Sequence, residues 1–210
     1  MPIGASSTHD HHSIFPRDWP LSAPLRAYHQ STMTDLLTGI PRVDPTSKPT
    51  MMRGAVARIL ATTAGSAIHR MVIAPLDTRL MHLTGGRVHL AKGTIPLVLL
   101  RTSGARSGVE RDVPLAYFTD GDDIILVASN YGQAKHPSWY YNLVKNPKCQ
   151  LFADGRGDSG GSFVARPTDG ADHDRLFALA ERYASNFTSY AANTNGIRTI
   201  PVLRLTPEAP

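Results

Sequence analysis

Between Leu97 and Leu151 the chain gathers residue types that an ordinary hairpin sheet does not need. Arg101, Arg106 and Arg111 lie in or beside the segment Ser103-Gly104-Ala105-Arg106-Ser107-Gly108. Lys135, Lys145 and Lys148 follow, and only Glu110 and Asp112 oppose them before residue 120. Backbone N–H groups in a Ser/Gly-rich turn, joined by guanidinium groups, make a receptor for phosphate or carboxylate. Solvated arginines on a hairpin tip account for the same residues equally well. Further along, Ala128-Ser129-Asn130-Tyr131-Gly132 precedes Trp139, Tyr140, Tyr141 and Asn142. Broad aromatic planes beside small residues suit a flat ring system, with core packing as the competing account of Trp139 and Tyr140.

The elements that must position these groups are mostly strands. Ile95–Thr102, Val113–Thr119 and Ile124–Ser129 are short apolar runs separated by Gly-containing turns, and connections this short require antiparallel pairing. Pro137 to Leu143 reads as a helix that stops near Asn146-Pro147. Strands at Lys148–Ala153 and Ser162–Arg166 make a further hairpin. A helix capped by Asp169 or Asp172 runs to about Tyr183, and a strand at Ile200–Leu205 follows. Strands in hairpins with interspersed helices predict an α+β fold around a small antiparallel barrel.

The N-terminal part differs in character. Seven of the sixteen prolines fall in residues 1–50, with His9, His11 and His12 and no apolar period, so 1–50 reads as a disordered arm and 51–210 as the folded domain. Met52, Val56, Ile59 and Leu60 give residues 51–70 one apolar helical face beside Arg53 and Arg58. That helix either packs on its own domain or makes weak peripheral contact with a membrane surface. Leu76–Leu83 reads as a second short helix.

Composition excludes several classes. One cysteine, Cys149, leaves no intramolecular disulfide and no multi-thiolate zinc site. Arg58, His69 and Arg70 interrupt the most apolar stretch, which therefore does not read as a transmembrane span. The first residues lack a secretory pattern, so the expected location is cytoplasmic, at most peripheral to the inner face of the plasma membrane. The net charge of +5 arises wholly within 51–210, since the four basic and four acidic residues of 1–50 cancel. Such a surplus suits an anionic cofactor, an acidic membrane or nucleic acid, but no strand carries an RNA-binding aromatic pattern. Walker, Gly-x-Gly-x-x-Gly, Gly-x-Ser-x-Gly and His-Glu-x-x-His motifs are missing. Arg156-Gly157-Asp158 reads as a turn, Asn186-Phe187-Thr188 as an unused glycosylation sequon, and Asp120, Asp122 and Asp123 as a hairpin turn before a calcium site. His9-Asp10-His11-His12 lacks further ligands for a metal.

In combination and order, Arg101-Thr-Ser-Gly-Ala-Arg-Ser-Gly108, Arg111-Asp-Val-Pro-Leu115, Asp120-Gly121, Val127-Ala-Ser-Asn130, Gly132-Gln-Ala-Lys-His-Pro-Ser-Trp-Tyr-Tyr-Asn-Leu143, Asn146-Pro147 and Arg198-Thr-Ile-Pro201 resemble the deazaflavin-dependent nitroreductase family over roughly Leu76 to Leu205. The resemblance implies a split β-barrel of the FMN-binding type and coenzyme F420, an 8-hydroxy-5-deazaflavin with a phosphate and an oligoglutamate tail. It also implies hydride transfer from the reduced cofactor to a quinone, nitroaromatic or activated alkene, so the partner is a small apolar electron acceptor. Carried over by position, Ala105, Arg106 and Ser107 hold the phosphate and tail, and Arg111, Val113, Pro114 and Leu115 line the cofactor channel. Val127, Ala128, Ser129 and Asn130, with Ser138, Trp139 and Asn142, contact the ring. Ser129 polarises the substrate oxygen, and Tyr183 or Tyr190 packs on the substrate or donates a proton.

The pattern departs from the family at Ala105, where a basic residue is common, at Asn130, where lysine is, and at Val113, where asparagine is. Loss of cations favours a second reading, a non-catalytic carrier of a fatty acid or other lipophilic ligand on the same barrel. Retention of Arg106, Arg111, Ser129 and Trp139 favours the reductase. An FMN-dependent enzyme is a third reading, and the oligomeric state is left open.

Overall fold

The computed structural model describes residues 36–47, 95–153 and 159–208, with residues 54–55, 58–59, 62–68, 71–72, 75–76 and 79–80 between them. The histidine cluster, the Arg156-Gly157-Asp158 tripeptide and most of the predicted helices over 51–70 and 76–83 lie outside the described residues. The strands are β1 (Leu36–Leu37), β2 (Ile40–Pro41), β3 (Leu97–Ser103), β4 (Glu110–Ala116), β5 (Phe118–Asp120), β6 (Asp123–Val127), β7 (Lys148–Phe152), β8 (Gly160–Pro167) and β9 (Val202–Pro207). The helices are α1 (Thr63–Ile68), α2 (Ser138–Lys145), α3 (Gly170–Tyr183) and α4 (Asn186–Thr194). No described helix is long and apolar enough to cross a membrane.

Seven strands form one antiparallel sheet in the order β4-β3-β7-β8-β9-β6-β5. Its two edges, β4 and β5, are consecutive in the chain, with Tyr117 alone between Ala116 and Phe118. Laid flat, the edges of seven strands would stand roughly 29 Å apart, far beyond the ~7 Å that two residues span. The sheet therefore curls until its edges meet at Tyr117, which is the barrel that the strand pattern and the resemblance predicted. The expected strand Val113–Thr119 is thereby divided between opposite edges, because nothing in its apolar run marks Tyr117 as a corner.

Alternation fixes which side chains fill the curl. On β3, Val98, Leu100 and Thr102 face inward, and their partners on β4 are Leu115, Val113 and Arg111. Leu151, Phe163, Ala165, Ile124 and Leu205 join the same core. Leu99 faces outward against Pro114 and shares a small separate cluster with Phe152. Pro114 sits on an edge strand, where a missing N–H is tolerated. Cys149 is buried, its Sγ is 3.7 Å from the Phe163 carbonyl, and burial pushes its thiol up to about 12, so it is a core residue and not a nucleophile.

The interior strands β6 and β9 are covered on both faces because α3 packs across them. Arg204 on β9 holds that helix, donating from Nε to Asp172 at 2.8 Å, from Nη1 to Asp123 at 3.0 Å and from Nη2 to Asp120 at 2.7 Å. Arg175 reaches Asp120 at 2.7 Å and Asp172 at 3.0 Å. The arginines hold the Asp172 carboxyl at about 2. Asp120 and Asp123 thus serve arginines, and no group of metal-ligating side chains occurs among the described residues.

Part of the predicted arm belongs to this structure. Thr38 and Gly39, at φ 48 and 85, turn β1 into β2 as a two-residue hairpin. Leu37, Ile40 and Val43 are buried in the main core. The Tyr117 hydroxyl donates to the Pro41 carbonyl at 2.8 Å, and the Thr119 N–H donates to the Val43 carbonyl at 2.9 Å. Residues 40–43 therefore cover the β5 edge, which an open strand needs. Residues 36–47 are a correction to the expected arm: three apolar side chains and an edge to cover outweigh the flanking prolines. Ile40 is fully buried, so Ile40→Ala should lower stability by about 2–4 kcal/mol in urea titration. A loss below about 0.5 kcal/mol would show that the hairpin is detached from the barrel.

Candidate functional site

The turn between β3 and β4 is built from its own backbone. The Gly104 N–H donates to the Val109 carbonyl at 2.9 Å, and the Gly108 N–H donates to the Gly104 carbonyl at 2.8 Å. Gly108 takes φ 67, a conformation that favours glycine. The Asn142 side chain fastens the turn to α2. Asn142 Oδ1 accepts from the Ala105 N–H at 2.9 Å, and its Nδ2 donates to Thr102 Oγ1 at 3.0 Å. Asn142 is buried, so both of its polar ends are committed to this brace.

The arginines of this region have separate fates. Arg101 makes a two-pronged ion pair with Asp112, its cross-strand neighbour, with both contacts at 2.9 Å, and its guanidinium lies 5.2 Å from the Phe152 ring centre. It belongs to the outer face of the sheet. Arg106 and Arg111 are exposed, and no carboxylate pairs with either among the described residues. Ser107 beside Arg106 is exposed too. Arg111, Val113 and Leu115 share the inward row of β4, whereas Pro114 points to the opposite face.

The second part of the site is the end of β6. The Ala128 N–H donates to the Pro201 carbonyl at 2.8 Å, which registers the strand end on the chain entering β9. Asn130, Tyr131 and Gly132 then take φ of 48, 55 and 70, three left-handed residues in succession. Two of them carry side chains, and each costs roughly 1–2 kcal/mol in that conformation. Asn130 is among the residues that tolerate it best, and its Nδ2 donates to the Lys135 carbonyl at 2.8 Å. This backbone requirement gives a physical reason for asparagine at a position where the family pattern has lysine.

Helix α2 stands between these two parts. Trp139, Asn142 and Leu143 form its buried face, and Ser138 is exposed at its start. Trp139 lies within the main core. The His136 ring precedes the helix, 4.9 Å from Tyr140 and 5.8 Å from Tyr141 between ring centres.

The two tyrosines assigned by resemblance lie in different surroundings. Tyr183 ends α3 and faces Phe118 of β5, 6.0 Å between centroids. Tyr190, on α4, meets Tyr131 edge-on at 6.2 Å and Phe187 at 6.1 Å. A Cβ on Gly132 would stand 3.0 Å from the Tyr190 Cα, so α4 is pressed against the left-handed turn that follows Ser129. Burial raises the Tyr190 hydroxyl above its ordinary value. Of the two, Tyr190 is the one beside the Ser129 turn.

Sequence reasoning missed α4 and gave Arg198 no role. Asn186-Phe-Thr-Ser-Tyr-Ala-Ala-Asn-Thr194 is rich in weak helix formers, yet Asn186, Tyr190 and Thr194 recur every four residues and are the buried stripe. Asn186 is buried there, which also removes the sequon from the surface. Arg198 reaches the site through contacts 62 to 70 residues distant in the chain. A cleft of about 470 Å³ lies behind its loop, lined by His173, Phe177, Thr194 and residues 195–200, and none of the predicted site residues borders it.

Because Asn142 braces the turn against α2 through both ends of its amide, Asn142→Ala should strand the Ala105 N–H and the Thr102 hydroxyl and destabilise the protein by about 2–3 kcal/mol. Hydrogen exchange at the Ala105 amide should accelerate with it. Unchanged exchange at that amide would remove the brace from the account.

The family model for F420H(2)-dependent quinone reductases matches residues 76–207. F420H(2)-dependent quinone reductases from two strains of Mycobacterium tuberculosis are each 36% identical over 127 residues, covering 59% of this chain and 82% of theirs. The solved structure of an F420H2-dependent reductase, FDR-A, aligns at 32% identity and a TM-score of 0.45 over 52% of this chain and 93% of its own. The matched span holds the arginine turn, the strand end and α2 together, and the chain belongs to the F420H(2)-dependent quinone reductase family.

Proposed function

We propose that this chain transfers a hydride from reduced coenzyme F420 to a quinone, which with one proton becomes the hydroquinone. The match of the family model over 76–207 carries the reading. The donor set fits the group: two guanidinium groups without carboxylate partners among the described residues, beside an exposed serine hydroxyl, suit a phosphate with a carboxylate tail. Arg106 with Ser107, backed by Arg111, would hold that anionic part. Val127 to Asn130 and Ser138 would border the ring, and Val113 and Leu115 would supply the apolar wall of the channel. Bound there, reduced F420 supplies the hydride.

The residues of the chain then have simple tasks. Ser129 carries a hydroxyl able to hydrogen-bond a quinone oxygen at the strand end. Tyr190, which packs edge-on against Tyr131 of the following turn, carries a phenol. Its raised hydroxyl keeps its proton at neutral pH, as a donor to a developing hydroquinone must. Tyr183, against β5, would act by packing. The carrier reading needs room for an aliphatic chain, and side chains such as Leu100, Leu151 and Phe163 fill the interior of the curled sheet.

Titration with oxidised F420, read by its fluorescence with FMN in parallel, tests the assignment. The wild type should prefer the deazaflavin, and Arg106→Glu should weaken binding about tenfold or more, since an attraction of about 1 kcal/mol at 4 Å in water becomes a repulsion. Equal affinity of wild type and variant would remove the tail site from the 104–108 turn.

A further inference from the structure

We infer that Arg198 is a positioning residue for the bound ring, holding the strand-end loop in its left-handed shape and bringing to the Ser129 carbonyl a positive charge that no carboxylate pairs with among the described residues. The inference rests on the deazaflavin reading above. Arg198 donates from Nε to the Gln133 carbonyl at 2.9 Å, from Nη2 to the Ser129 carbonyl at 2.6 Å and from Nη1 to the Ala128 carbonyl at 3.4 Å. Its Nη1 also lies 3.0 Å from His136 Nδ1. One guanidinium thus joins both ends of the segment whose middle, Asn130 and Tyr131, is strained. A lysine has the charge but not the fork, so it cannot reach these acceptors together.

The partner set is unusual for a half-buried arginine. All four acceptors are neutral, and no carboxylate pairs with Arg198 among the described residues. The structural arginines Arg101 and Arg204 each face carboxylates, whereas the charge of Arg198 is left for whatever lies above Ser129. A ring that gains electron density on reduction is held more tightly in its reduced form beside such a charge.

The same contact fixes His136. A guanidinium only donates, so Nδ1 must be the acceptor and the proton resides on Nε2. Burial and the neighbouring Arg198 both lower the affinity of the ring for a second proton. Tyr140 and Tyr141 flank the imidazole, so its orientation is set from both α2 and the Arg198 loop.

Nitrogen-15 NMR of His136 in the cofactor-free wild type tests the clamp without any ligand. The Nε2–H tautomer is expected, and a protonated Nδ1 would overturn the inference directly. Arg198→Gln and Arg198→Lys, both checked for folding by circular dichroism, carry the test to the cofactor. Arg198→Gln should weaken oxidised F420 binding at least tenfold and further reduce the preference for the reduced form. Arg198→Lys should restore that preference without restoring overall affinity. Unchanged affinity and preference in a folded Arg198→Gln would overturn the role toward the ring while leaving the cofactor reading intact. A wild type with the expected tautomer but no deazaflavin binding would overturn the cofactor reading, and the role toward the ring with it.

Discussion

One residue joins the two edges of a seven-stranded sheet, and this closure governs the rest of the molecule. With Tyr117 alone between β4 and β5, the sheet has to curl, so inward-facing rows from all strands meet in one core. Closure also leaves the β5 edge short and exposed, and the hairpin at Leu36–Pro41 together with Val43 covers it. The Tyr117 hydroxyl bonded to the Pro41 carbonyl ties corner and cover together. Helix α3 then lies across β6 and β9, held by Arg204 and three aspartates. The β3–β4 turn remains outside the packed interior, and Asn142 of α2 is bonded to it.

Charge divides along the same line. Arginines that serve the architecture are matched with carboxylates: Arg101 with Asp112, Arg204 with Asp120, Asp123 and Asp172, and Arg42 with Asp122 at 2.6 Å. Arg106, Arg111 and Arg198 carry charge without such a partner among the described residues. Pairing within the barrel limits what a distant anion gains from the structural arginines.

Much of this was legible in the sequence because its signals are local. β3 and β6 are short apolar runs, Pro147 precedes β7 and Pro201 precedes β9, and α2 ends at Lys145 because Pro147 follows its cap, Asn146. Other features depend on distant partners. Val113–Thr119 is apolar from Val113 to Phe118 without a break, so the corner at Tyr117 is visible only once the far edges are known to meet. Thr38-Gly39 between Leu37 and Ile40 is a local hairpin signal, but the surrounding prolines pointed to an arm. Asn130 differs from the family pattern, and only its left-handed backbone explains the type. The neutrality of all the acceptors around Arg198 is a fact of the fold that no spacing encodes. The residues named for the cofactor followed from resemblance, and the geometry added which of them face inward, which brace the turn and which tyrosine stands beside Ser129.

The central claim is that this barrel carries electrons from a deazaflavin to a quinone. Its most direct test is anaerobic mixing of the purified protein with reduced F420 and menadione, following the return of deazaflavin absorbance. The account predicts reoxidation that requires both protein and quinone and saturates with each. Reoxidation no faster than in the protein-free control, or quinone reduction supported by reduced FMN and not by reduced F420, would contradict it.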